Sequence, residues 1–113
     1  MKIREALEKA VELIEQDGWQ RGFNGTCDGP KCAMGAISQA ATGDPKSVQW
    51  GIDNFLNARL HEIGEASCIE GYNDHHDRKK EEVIEFLRQC AKHPDAEKEF
   101  VVYSYFVRTG DIR

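Results

Sequence analysis

Residues 3–19 read IREALEKAVELIEQDGW, and the period of their apolar side chains decides the fold class. Ile3, Ala6, Leu7, Ala10, Val11, Leu13 and Ile14 recur every three or four positions, with charged residues between them. That spacing draws one apolar stripe along a helix and does not alternate as a strand would. A helix is expected over residues 2–17. Gly18 stands just past the last periodic residue, where glycine commonly ends a helix. Trp19 is expected to fold back onto the helix end.

Working outward, CAMGAISQAA (32–41) reads as a short helix of small side chains. Gly35 weakens it and is expected to allow close packing against a neighbour. TGDP (42–45) breaks the chain, and Asp44 is placed to cap a third helix that opens at Pro45. This helix is expected to run to about residue 63, with Val48, Ile52, Phe55, Leu56, Leu60 and Ile63 on its apolar face and Gly64 at its end. After a second loop over 65–76, a fourth helix over 78–91 buries Val83, Ile84, Phe86, Leu87 and Cys90.

Between the first two helices, QRGFNGTCDGPK (20–31) reads as a loop, or as a tight hairpin around Asn24-Gly25 and Asp28-Gly29. The tail FVVYSYFVRTG (100–110) is β-branched and aromatic, and its local preference is strand; a short helix is the alternative. A lone strand cannot satisfy its own backbone, so segment 98–113 would pair with the 20s loop or with a second copy of the chain, making a homodimer. The expected fold is mainly α: one domain over 1–113, a compact bundle of about four helices with a glycine-rich hairpin or loop and a C-terminal β-like segment.

A chain of 113 residues is one ordinary domain. With 40% hydrophobic and 31% charged residues it belongs among folded soluble domains rather than disordered chains. A net charge of -5 argues against broad binding to nucleic acid or to an anionic membrane. No apolar run approaches membrane-spanning length, and the charged N-terminus lacks the apolar region of a signal peptide. The expected location is the cytoplasm, where cysteines 27, 32, 68 and 90 would be free thiols.

Three features together carry a family resemblance: an amphipathic helix ending in Gly18-Trp19, a glycine-rich turn running into CAMGAISQAA, and an aromatic-Asn-Asp motif, Tyr72-Asn73-Asp74, followed by Arg78 and EEVIEFL. The sequence resembles a group of small, functionally uncharacterised proteins of bacteria and their phages over most of residues 5–91. Two positions depart from the pattern: Tyr72 stands where tryptophan is usual, and Lys79 where a threonine would cap the last helix. The resemblance implies an architecture and no activity.

The stretch YNDHHDR (72–78) is the richest in side chains that could act. Asn73 and Asp74 would organise a turn, and Asp74 or, more so, Asp77 would cap the following helix. In the functional reading, Trp19, Arg21, Tyr72, Asn73, Asp74, His75 and Arg78 line a pocket between the glycine-rich loop and the Asn73-Asp74 turn, supplying stacking and charge. The two histidines are expected to point apart. Cys27 and Cys32, with four residues between them, have an acceptable zinc-knuckle spacing, with Cys68, His75 and His76 as further ligands. Arg21 and Lys31 beside loop glycines invite a phosphate reading, yet no Walker or dinucleotide motif is present.

The leading expectation is a non-catalytic binding or regulatory protein without a cofactor or resident metal. If phage-encoded, it would bind a host protein or sequester a small anionic ligand. Two alternatives stand beside it: a small hydrolase or transferase using His75 or His76 with Asp74 or Asp77, and a zinc-stabilised interaction module.

Overall fold

A computed structural model of the chain describes residues 1–22, 29–44 and 51–100. Five α-helices follow one another there: α1 (Ile3–Asp17), α2 (Ala33–Thr42), α3 (Ile52–Ile63), α4 (Ile69–Asp74) and α5 (Lys80–Ala91), with a 3-10 turn over Pro94–Glu97. α1 is the hub. It packs against α2, α5 and the 3-10 turn, while α4 packs against α2 and α3.

The apolar stripe of α1 buries Ile3, Ala6, Leu7, Ala10, Val11 and Ile14; Leu13 sits at its half-buried edge. Opposite lie Ala33, Ala36, Ile37 and Ala40 of α2, whose small side chains suit close approach of the helices. Val83, Ile84, Phe86, Leu87 and Cys90 complete the core from α5. Gly18 ends α1: its N–H donates to Ile14 O, and its φ of 99° lies where a side chain would be strained.

Four local expectations are corrected. First, the third helix is not continuous from Pro45, because Gly51, at φ 87°, caps α3 and forces a break before Ile52. Residues 45–50, with Val48 and Trp50, lie outside the described residues. Ile63, expected in the core, is 59% exposed.

Second, the 65–76 loop contains α4, so Tyr72-Asn73-Asp74 is helical rather than a turn. The Sγ of Cys68 accepts the Gly71 N–H, and Asn57 Oδ1 accepts the Ile69 N–H at 2.9 Å. Third, neither Asp74 nor Asp77 caps α5. Its N-cap is Lys79, whose backbone N–H donates to Glu82 Oε1 at 2.8 Å.

Fourth, no sheet forms among the described residues, and their pairing amounts to two isolated bridges. Lys2 and Glu99 bridge in antiparallel fashion; Ile3 N donates to Lys98 O and Phe100 N to Met1 O. The described start of the 98–113 segment, residues 98–100, therefore pairs with the N-terminus. The strand expected over 101–107 lies outside the described residues. The second bridge, Trp19 to Lys31, is parallel. The hairpin expected around Asn24-Gly25 and Asp28-Gly29 lies, but for Gly29, outside the described residues.

Candidate functional site

The two connections that the sequence singled out meet at Asn73, which is 1% exposed. Its Oδ1 accepts the indole N–H of Trp19 at 2.6 Å and the Ala33 N–H at 2.9 Å. Its Nδ2 donates to Gln20 O at 3.2 Å and Asp74 Oδ1 at 2.9 Å. Two acceptor and two donor positions are thus filled, which is the full capacity of an amide side chain. Asp74 Oδ1 also takes the Gly22 N–H at 2.9 Å. One helical turn thereby ties together the end of α1, the loop after it and the first N–H of α2.

Arg21 closes the same junction. Its Nε donates to His75 O and its Nη2 to His76 O, each at 3.0 Å, and Nη2 also donates to Arg78 O. The guanidinium lies 5.2 Å from the Trp19 ring centroid. Its donors are turned to carbonyls beyond the end of α4. Lys31 is committed too: fully buried, its Nζ donates to Asp17 Oδ2 at 2.7 Å and Gly29 O at 2.9 Å. Lys31 is thus closed to a phosphate, and Arg21 spends its Nε and Nη2 on backbone carbonyls.

His75 and His76 do not point apart. Their rings stack at 4.7 Å with 19° between planes, both exposed on the turn after α4. Cys32 and Cys68 cap helices and join no metal-ligating cluster among the described residues. Cys32 Sγ accepts Gly35 N at 3.3 Å, as Cys68 Sγ does Gly71 N at 3.4 Å. Burial pushes the Cys32 thiol above its ordinary range. Cys27 lies outside the described residues.

Trp19, Arg21, Asn73 and Asp74 are therefore brought together, with His75 joined through its carbonyl, and they bond to one another. None of these five lines any of four surface cavities of 410–720 Å³. Tyr72 and Arg78 face elsewhere. They line the largest of the four, a groove of about 720 Å³ between α3 and α5 with α4 at one end.

The buried part of the groove's lining is Tyr72 and Phe86, whose rings lie 4.9 Å apart, with Cys90; the exposed Ile63 lines it from the end of α3. Its rim carries Glu62, Glu65, Glu81, Glu82 and Glu85 against Arg59 and Arg78, a net of three negative charges. Both arginines are held by the protein. Arg78 stacks 3.7 Å over Tyr72 and donates from Nε to Tyr72 O at 2.8 Å. Arg59 donates to Glu62 at 2.8 Å, contacts His93 and lies over Phe55. Burial raises the Tyr72 hydroxyl's pKa and pushes the Cys90 thiol to about 12, so Cys90 is a neutral apolar contact and no nucleophile. The cavity between α1 and α5 has charged walls already engaged in Arg4–Glu8, Arg4–Glu97 and Arg88–Glu15 pairs.

The sequence reading assigned Phe86 and Cys90 to the core and passed over the glutamates. The available signal was the spacing of Glu82, Phe86, Gln89 and His93, which recur on one stripe of the helix and its continuation.

A family of unknown function, DUF6197, matches residues 1–93. The chain belongs to this family. No curated protein and no solved structure matches it. The DUF6197 match takes in all five helices and both sides of the Asn73 junction, and it ends before the 3-10 turn.

Proposed function

We propose that this DUF6197 protein is a non-catalytic binding protein whose α3–α5 groove takes a basic, amphipathic helical segment of a partner protein. One observation carries the reading: an apolar floor rimmed by five glutamates, with its two arginines already engaged. An occupant helix would lay apolar residues on Ile63, Tyr72 and Phe86 and set lysines or arginines against Glu81 and Glu85. A regulatory protein of a bacterium or phage would act in this way by occupying a helix of a host protein in the cytoplasm. The small anionic ligand is the less favoured occupant, since the rim repels it and Arg21 and Lys31 are committed. The hydrolase or transferase reading is weaker again: Asp74 is engaged by Gly22 and Asn73, and the exposed histidines line none of the four cavities.

Fluorescence anisotropy with a labelled Lys/Leu amphipathic peptide tests the reading. The expected result is saturable binding, weakened about tenfold or more by Glu81→Lys with Glu85→Lys and weakened also by Ile63→Asp. Binding that ignores these changes, or equal binding of a Glu/Leu peptide, would contradict it. Stabilisation by nucleotides in a thermal-shift screen would favour the anionic occupant instead.

A further inference from the structure

The geometry points to a second site outside the groove: a surface site for a divalent transition-metal ion such as zinc, built from His75, His76 and Asp77. One ligating atom from each residue lies within 4.8 Å of the others, and all three residues are exposed. Two imidazoles and a carboxylate are the donor set that borderline ions such as zinc, nickel and cobalt accept, whereas magnesium and calcium favour oxygen alone.

The backbone beneath the three donors is fixed. Arg21 holds the carbonyls of His75, His76 and Arg78, and the Arg78 N–H donates to His75 O at 2.9 Å. The carboxylate of Asp74, one residue upstream, is bound to Gly22 and Asn73. The imidazoles are already side by side, and Asp77 Oδ2 lies 3.3 Å from His76 Nε2. Tetrahedral zinc, with bonds of about 2 Å, places its donors roughly 3.4 Å apart, so exposed side chains need move only about an ångström.

One exchange accompanies binding. His75 Nδ1 accepts the Asp77 N–H at 3.1 Å. A metal at Nδ1 displaces that N–H; a metal at Nε2 shifts the ring proton to Nδ1 and breaks the same bond. The freed N–H is exposed and passes to water, which keeps the loss small. Three protein donors leave a fourth position for water. These donors share His75 and His76 with the cysteine-based zinc set that the sequence suggested and include no thiolate.

Isothermal titration of untagged, metal-free protein with zinc sulfate tests the site, with cobalt absorption as a second readout. The expected result is one zinc per chain at micromolar affinity, at least about tenfold weaker in His75→Ala and in His76→Ala, and weakened in Asp77→Asn. Circular dichroism should show these surface variants folded. Cobalt should give d–d bands without a thiolate charge-transfer band. Absent binding, binding unchanged in the two histidine variants, or a thiolate band showing cysteine ligands would each overturn the assignment.

Discussion

Asn73→Ala takes away the acceptor for two N–H groups, one on Trp19 and one at the start of α2, and both donors beside them. The site is buried, so the stranded groups lose their partners without gaining full access to water; the expected cost is about 3 kcal/mol, read by urea unfolding. Lys31 gives a second test. Asp17→Ala leaves a fully buried ammonium without its carboxylate and should cost about 3 kcal/mol, whereas Lys31→Met removes the charge, keeps the stem and should cost less. The opposite order in unfolding midpoints would contradict the pairing. Cys90 titrates near 9.0 when unfolded and at about 12 when folded. Between those values the unfolded state binds fewer protons, so stability falls as pH rises through that window. Cys90→Ala should remove this part of the fall, and iodoacetamide at mildly alkaline pH should leave folded Cys90 unmodified. At this scale the sequence was half legible. Tyr72-Asn73-Asp74 stood out as a motif, but apart from Asp74 the partners of Asn73 are 40 to 54 positions away, and no local rule supplies them. Lys31 was read as a loop cation because its burial depends on Asp17 and the parallel bridge at Trp19.

The long helices were legible because periodicity marks them. The buried faces of α1 and α5 are those their apolar residues draw, with Leu13 alone at an edge. α4 was missed because six residues are too few to show a period. Its signal was a spacing: CIEG (68–71) repeats the Cys-x-x-Gly of CAMG (32–35), and in both the cysteine caps a helix by accepting the glycine N–H. The start of α3 was misplaced for a different reason. Pro45 is a good helix opener, but Gly51 adopts a φ of 87°, which side chains rarely enter. Gly51→Ala should therefore destabilise the protein by about 1–2 kcal/mol rather than stabilise it as Gly→Ala does inside a helix, and thermal or urea unfolding distinguishes the two. The 3-10 turn is tied to α1 by Glu97, whose carboxyl is held below the usual range by hydrogen bonds from Lys2 and then Arg4. These bonds are exposed and should weaken as pH falls through that lowered range.

Taken as a molecule, the chain separates two roles that its sequence blended. Trp19, Arg21, Asn73 and Asp74 knit α1, α2 and α4 together, while Tyr72 and Arg78, from the same short stretch, turn toward the groove between α3 and α5. Neighbouring positions on a helix point in different directions, so one motif serves two surfaces. The groove itself was not legible, because it lies between helices distant in sequence and its floor residues look like ordinary core. A titration of isotopically labelled protein with a Lys/Leu amphipathic peptide, followed by backbone and indole NMR shifts, tests the separation most directly. The account predicts shifts at Ile63, Glu65, Glu81, Glu85 and Phe86, with the Trp19 indole and residues 73–76 unmoved. Shifts centred on the Trp19 indole and residues 73–76, with α5 silent, would contradict it.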